Sequence, residues 1–410
     1  MTAAAVLGCV AGPQPATFAP IEGATILVRG ERAAPPSVND DQIKSLARAD
    51  AEFGLDVYRA LAAANDDNLI VGPHSISSAL AMIYAGARGE TATEMAGVLH
   101  FAELSGDISP MLDALDRDLA SRSEPGVVDL RTANQAFAQP GLALLDQYLE
   151  TLTRDFGAPL AELPFADPEA ARQVINRWAA QRTNNHIPAL FPAGALSPET
   201  VLVVVNAASL DASWHYLFDP AATTFQRFTL GDGSAVSVPV MHFDLYLPLS
   251  IGDDYRAVEL SYGAKGDLSM VLILPDDLAA FDATVDAKRL QAIFDTIGEQ
   301  GIHLSLPKFS FSLHPDMDAT LKGLGMRRVY GDADLSGMID GSGYFLQTVQ
   351  HEAFIEVDEA GTEAHAATGA GVAVSHGPTI TFDRPFFFVI RDRTTGAILF
   401  LGRVADPRAI

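Results

Sequence analysis

The chain has 410 residues, and 27 Lys+Arg against 52 Asp+Glu give it a formal charge of −25, a field that disfavours nucleic-acid phosphates and anionic membrane surfaces as partners. Its 48% hydrophobic and 8% aromatic content can fill a sizeable core and excludes a chain that stays mostly disordered. Cys9 is the only cysteine, so no intrachain disulfide can form and packing alone must hold the fold.

Residues 1–42 are rich in Ala, Pro and Gly without sustained periodicity and read as a disordered leader and linker. Within them Val6-Leu7-Gly8-Cys9 is similar to a bacterial lipobox, followed by the tether Ala11-Gly12-Pro13-Gln14-Pro15-Ala16. The stretch before Cys9 is short and holds no Lys or Arg, so lipidation would need a start upstream of Met1. Two readings of Cys9 stand side by side, lipid attachment and an unpaired thiol in a tail. The expected location is extracellular or periplasmic. Membrane contact is expected only through a lipid on Cys9, because no apolar run approaches spanning length.

The folded domain is expected over 43–410. Ile43, Leu46, Ala49, Phe53, Val57, Tyr58 and Leu61 recur at helical spacing. A second helix is predicted from Ser75 to Ala85, with Gly86 and Gly89 as stops. Apolar strands are predicted at Arg131 to Ala138, Val201 to Ser209, Leu268 to Leu274 and Ile302 to Phe311, alternating with helical stretches. Toward the C-terminus come Phe354 to Val357, Thr379 to Phe382, Phe386 to Arg391 and Ile398 to Val404. No internal repeat or interdomain linker interrupts this pattern, which predicts one α+β domain.

Between the first two C-terminal strands lies Gly361 to Gly377, built largely of Gly, Ala, Thr, Ser and Val. A loop this long in a compact domain usually serves a function. At period two, Thr362, Ala364, Ala366, Thr368 and Ala370 are all small and uncharged, so one face could enter the middle of a sheet. Glu363, His365, Ala367 and Gly369 form the other face. Ala and Gly are poor strand formers alone, so the segment should stay extended unless a sheet supplies both edges. Val372 to Ser375 then offers small residues to a protease cleft.

Glu359-Ala360-Gly361-Thr362-Glu363-Ala364 resembles the serpin hinge, and Ile380-Thr-Phe-Asp383-Arg-Pro385-Phe386-Phe-Phe-Val-Ile390 resembles that family's signature. The likeness continues through Asn68-Leu-Ile-Val-Gly72-Pro73-His-Ser75-Ile, Gly86-Ala-Arg-Gly89, Asn176, Asn206 with Trp214, Phe218-Asp-Pro220, Pro239-Val-Met241, Leu306-Pro-Lys308, Asp334-Leu-Ser-Gly337 and Leu401-Gly402-Arg403. It spans nearly all of 45–408. The resemblance implies the serpin fold, with three β-sheets, eight or nine helices and an exposed reactive centre loop. It also implies a suicide inhibitor of serine proteases and no catalytic activity. The protease forms an acyl-enzyme at the loop, which then inserts as a new central strand and distorts the enzyme before deacylation.

Carried over position by position, the hinge is Glu359, Gly361, Thr362, Glu363, Ala364, Ala366 and Thr368. The shutter, a polar cluster beneath the main sheet, is Ser75, Asn206 and His351, with Gly72 where many serpins have serine. The breach, where the loop first enters, is Trp214, Lys308 and Glu359, although Asp211 and Ala212 stand where Lys-Gly is usual. The cleaved bond falls after Val374 or after Ser375, depending on which end is counted from, so Val374, Ser375 and His376 are the reactive residues. A small uncharged site favours elastase-, subtilisin- or chymotrypsin-like targets over trypsin-like ones.

Other signals point to no enzyme. No G-x-S-x-G elbow occurs, Gly369-Ala-Gly371 lacks a dinucleotide site's third glycine, and His351-Glu352 lacks the second histidine of H-E-x-x-H. Ser75 and His74 would have to converge to form a hydrolase pair, yet adjacent residues at a helix start point apart. No metal or other cofactor is expected. The partner is the target protease, bound covalently, with no nucleic acid and a monomeric inhibitor. Arg117 and Arg122 lie amid Asp107, Asp113, Asp116 and Asp118, so no heparin-like activator is expected. The alternative is a non-inhibitory serpin acting as a binding or chaperone-like protein.

Overall fold

Asn39 begins the first long helix, Asp40–Ala62. Its side chain accepts from Gln42 N at 2.9 Å while its own N–H donates to Gln42 Oε1 at 3.2 Å, a reciprocal capping box that satisfies two orphan amides. Pro73 opens the second helix at its first turn, so Pro73–Gly86 starts two residues before the predicted point. The computed structural model describes residues 20–28, 31–32, 37–362 and 377–408; the side chains of Thr132 and Asn206 also fall outside the described set.

Two hydrogen-bonded networks of strands form the frame. The first runs Thr25–Leu27, Leu160–Glu162, Val128–Ala138, Leu202–Ser213, Gly361–Thr362, Ala353–Val357, Phe309–Leu313. The second runs Thr379–Thr381, Gly298–Pro307, Ala235–Ile251, Tyr255–Ser261, Leu268–Pro275, Phe386–Asp392, Ile398–Val404, Leu69–Val71, with Thr224–Thr229 also paired to Ala235–Ile251. The 17-residue strand Ala235–Ile251 joins two parts of this network. It pairs with Thr224–Thr229 and Gly298–Pro307 over most of its length and with Tyr255–Ser261 only over its last three residues. Counting those parts separately gives three sheets, and nine α-helices occur among the described residues, so the fold is α+β as expected.

Packing rather than local propensity fixes the interior. Leu268–Pro275 and Ile398–Val404 are buried at every position, so they read as continuous apolar runs with no alternation. A buried ion pair, Arg403 Nη1 to Asp282 Oδ2 at 2.7 Å, ties the C-terminal strand down, with Tyr58 Oη donating to Asp282 Oδ1 at 2.6 Å. Asn176 behaves like a piece of backbone, donating to Phe191 O at 2.9 Å and accepting from Phe191 N at 2.7 Å.

Three boundaries differ from expectation. The leader does not end at 42: Thr25–Leu27 adds an edge strand antiparallel to Leu160–Glu162, and Ile21 is buried beside Phe137, Val174 and Trp178. The short apolar run Ile26-Leu27 lies within an Ala- and Pro-rich stretch whose composition hid it. The predicted strand Ile302 to Phe311 is two strands, Gly298–Pro307 and Phe309–Leu313, belonging to different networks. Lys308 sits at the crossing. Gly361–Thr362, read from the sequence as the start of the loop, is paired in the first sheet.

Candidate functional site

A tight turn returns the chain from Ala353–Val357. Asp358 Oδ1 accepts from Ala360 N at 2.8 Å and Gly361 N at 3.2 Å, and Asp358 N donates to Gly361 O at 3.0 Å. Thr362 thereby lands opposite Val357 on one side, and Gly361 and Thr362 pair with Ser213 and Ala212 on the other. Only glycine fits at 361, because a Cβ there would run into the Ala212 carbonyl oxygen. In the strand order Leu202–Ser213 and Ala353–Val357 are not neighbours; the hinge pair lies between them. Both of these strands run antiparallel to the returning chain and parallel to each other, so they flank the line along which a continuation of the hinge pair would run.

Thr362 shows what this position accepts. It is 3% exposed, and its hydroxyl lies 2.6 Å from Tyr262 Oη. Tyr262 stacks on Trp214 with ring centroids 4.6 Å apart and an angle of 11°. Burial pushes the Tyr262 phenol far above its ordinary range, and the Thr362 hydrogen bond opposes this, so the ring stays a neutral hydrogen-bonding partner. Trp214 is fixed in turn by Nε1 to Asp358 O and N to Ala360 O, both 2.9 Å.

Lys308 and Glu359 close the top. Lys308 Nζ donates to Glu359 Oε2 at 2.6 Å, and Thr223 Oγ1 donates to Glu359 Oε1 at 2.7 Å. Burial works against the charge on Glu359, but these two donors outweigh it and hold the carboxyl below its usual range. Lys308 follows the last pair of the Gly298–Pro307 strand, its N–H bonded to Pro239 O at 2.9 Å, and stands where the chain passes to the other network. With Lys308 one third exposed, the pair is worth about 1 kcal/mol. Lys308→Met should therefore shorten the half-life of inhibitory activity on warm incubation by roughly fivefold; an unchanged half-life would show that the pair holds nothing closed.

Lower in the molecule His351 is buried, and Gly72 N donates to its Nε2 at 3.2 Å. Gly72, Ser75 and His351 converge: a Cβ on Gly72 would sit 3.3 Å from both His351 Cε1 and Ser75 Cβ. The missing hydroxyl at 72 is thus replaced by a backbone donor. Burial, reinforced by His314, depresses the His351 pKa to about 4, so the ring is neutral with Nε2 as acceptor.

Of the residues carried over from the resemblance, Glu359, Gly361 and Thr362 lie in and after the turn beside Trp214 and Lys308, and Ser75 and His351 lie together at Gly72. The Asn206 side chain, Glu363, Ala364, Ala366, Thr368, the reactive residues Val374, Ser375 and His376, and Cys9 lie outside the described residues. The described chain resumes at Gly377 in the other network, where His303 N donates to Pro378 O at 3.0 Å, so residues 363–376 connect the two sheets. Tyr262, Thr223 and Asp358 were not singled out from the sequence, for none stands in a motif that marks it. Among the described residues no cluster of His, Cys, Asp or Glu is placed to hold a metal ion, and no helix is long and apolar enough to cross a membrane.

The profile of the family Serpin (serine protease inhibitor) matches residues 48–407, and the chain belongs to that family. Leukocyte elastase inhibitor of Sus scrofa is 34% identical over 385 residues, covering 89% of this chain and all of the relative. The native state of the thermophilic serpin tengpin superposes with a TM-score of 0.82 at 25% identity, covering 93% of this chain and 99% of tengpin. Thyroxine-binding globulin in complex with thyroxine superposes with a TM-score of 0.78 at 27% identity, covering 88% of this chain and 99% of that one.

Proposed function

We propose that the protein is a suicide inhibitor of elastase-, subtilisin- or chymotrypsin-like serine proteases. The observation that carries the reading is the hinge pair itself: Gly361 and Thr362 already pair between Leu202–Ser213 and Ala353–Val357, two strands that run parallel to each other and would have to part for the segment to continue between them. Thr362 is already accommodated there, and Ala364, Ala366 and Thr368 continue the same small, uncharged face. Cleavage after Val374 or Ser375 would free residues 363–374 to extend this strand and carry the acylated protease with them. Arg117 is ion-paired to Asp113 at 2.7 Å and Arg122 to Asp392 at 2.7 Å, which supports action without a polyanionic activator. The chain is proposed to act outside the cytoplasm, in the extracellular space or periplasm.

Mixing with pancreatic elastase or subtilisin should give an SDS-stable band near the summed mass, and trypsin should give none. A nicked chain with every protease and no complex would overturn the reading. One feature favours a second, carrier-like reading: a cavity of about 490 Å³ walled by Trp214, Tyr216, Phe243, Tyr246 and Phe294. A ligand-carrying serpin would quench Trp214 fluorescence with an aromatic anion while forming no complex with any protease.

A further inference from the structure

His74 lies outside the hinge and the breach, where Pro73–Gly86 packs on Asp40–Ala62 and Ile108–Ala120. Its Nδ1 is 2.9 Å from Asp50 Oδ2 and its Nε2 is 2.8 Å from Asp116 Oδ1. A neutral imidazole carries one N–H, so two carboxylate acceptors on opposite sides are both satisfied only by an imidazolium. The second Asp50 oxygen accepts from Ser77 Oγ at 2.6 Å. His74 and Asp50 are 2% and 1% exposed. Burial opposes the ring's charge, but the two carboxylates outweigh it and hold its pKa up to about 10. The other charges on neighbouring elements are committed elsewhere: Asp113 to Arg32 and Arg117, Arg403 to Asp282, Asp155 to Arg154.

The helix that carries His74 reaches toward both strands that flank the hinge pair. Its leading residue Gly72 donates to His351, which precedes Ala353–Val357, and its body packs on Leu202–Ser213. We propose that Asp50, His74 and Asp116 form a buried charge lock that anchors this helix to the two helices behind it and so governs how readily those strands part. The proposal rests on the loop-insertion reading above. Loss of the ring proton would leave one N–H between two carboxylates, so one contact would set acceptor against acceptor and the helix would come free on that side.

The test follows parting of these strands directly, as the rate at which a synthetic peptide of residues 363–373 anneals to the uncleaved full-length chain, read by native gel. In the wild type the rate should rise roughly tenfold from neutral pH to above about pH 10. Asp116→Asn should move the midpoint of that rise down by about one unit. His74→Gln should anneal fast at neutral pH. ¹⁵N spectra of the wild type should show both His74 nitrogens protonated at neutral pH, which decides the charge state even if His74→Gln fails to fold. An unchanged midpoint in Asp116→Asn, or a neutral ring, would overturn the lock alone; absence of annealing in every variant and at every pH would overturn the insertion reading with it.

Discussion

Cleavage between residues 374 and 376 should raise the unfolding temperature of the chain by roughly 13 °C. The two flanking strands offer ladder partners on two sides, so about a dozen new backbone bonds at ~1 kcal/mol net each give on the order of 10 kcal/mol. On the proposed mechanism that gain is available only after cutting, and the uncleaved fold would then be kinetically held. A charge placed deep in the inserting face should block it. Thr362 is a poor place for that charge, because its side chain already sits in the sheet against Tyr262, and Thr362→Arg would disturb the uncleaved protein first. Thr368→Arg puts the charge on the same small-residue face, six positions beyond the hinge pair. It should convert the inhibitor to a substrate: cleavage persists, the SDS-stable complex falls by more than tenfold, and the nicked chain melts where the intact one does. Calorimetry of nicked and intact chains, wild type and variant, checks this. A nicked wild type with no gain in melting temperature would end the case for insertion.

The small uncharged face of residues 362–370 is legible as a period-two pattern that needs no tertiary knowledge. The breach was legible only as a resemblance, since Lys308 and Glu359 lie 51 positions apart and meet because the chain changes sheets at Pro307-Lys308. Nothing local separates that crossing from a continuous strand, and Ile302 to Phe311 reads as one. The charge cluster left a signal that went unread. Asp50 stands four after Leu46 and three before Phe53, on the buried stripe of its helix, where a carboxylate must find a partner. His74 was weighed only against Ser75, its neighbour in sequence, whereas its partners come from helices 24 and 42 positions away. The edge strand Thr25–Leu27 shows the opposite limit: its pairing comes from Leu160–Glu162, and three residues carry no period of their own.

Acid should destabilise the uncleaved protein through His351. The folded ring has its pKa depressed to about 4, below the 6.5 of an exposed histidine. Above pH 6.5 neither state binds the proton and the histidine costs nothing. As pH falls from 6.5 toward 4 the unfolded chain takes up a proton that the folded one refuses, so stability drops, by about 3 kcal/mol once pH is below both values. Asp50, whose carboxyl burial pushes up, contributes with the opposite sign in part of the same range, so the His351 share must be read as a difference between variants. His351→Gln keeps an acceptor for Gly72 N–H and cannot titrate. Relative to wild type it should gain about 3 kcal/mol between pH 7 and pH 4, seen as thermal midpoints that diverge by several degrees on acidification. The consequence reaches function, because a protonated Nε2 would present a donor to the Gly72 donor and break the contact between the helix and the segment leading into Ala353–Val357. Wild type should therefore lose inhibitory activity faster at pH 4.5 than at pH 7 while His351→Gln does not. Parallel decay of the two proteins across that range would show that this histidine plays no part in holding the strands that flank the hinge pair together.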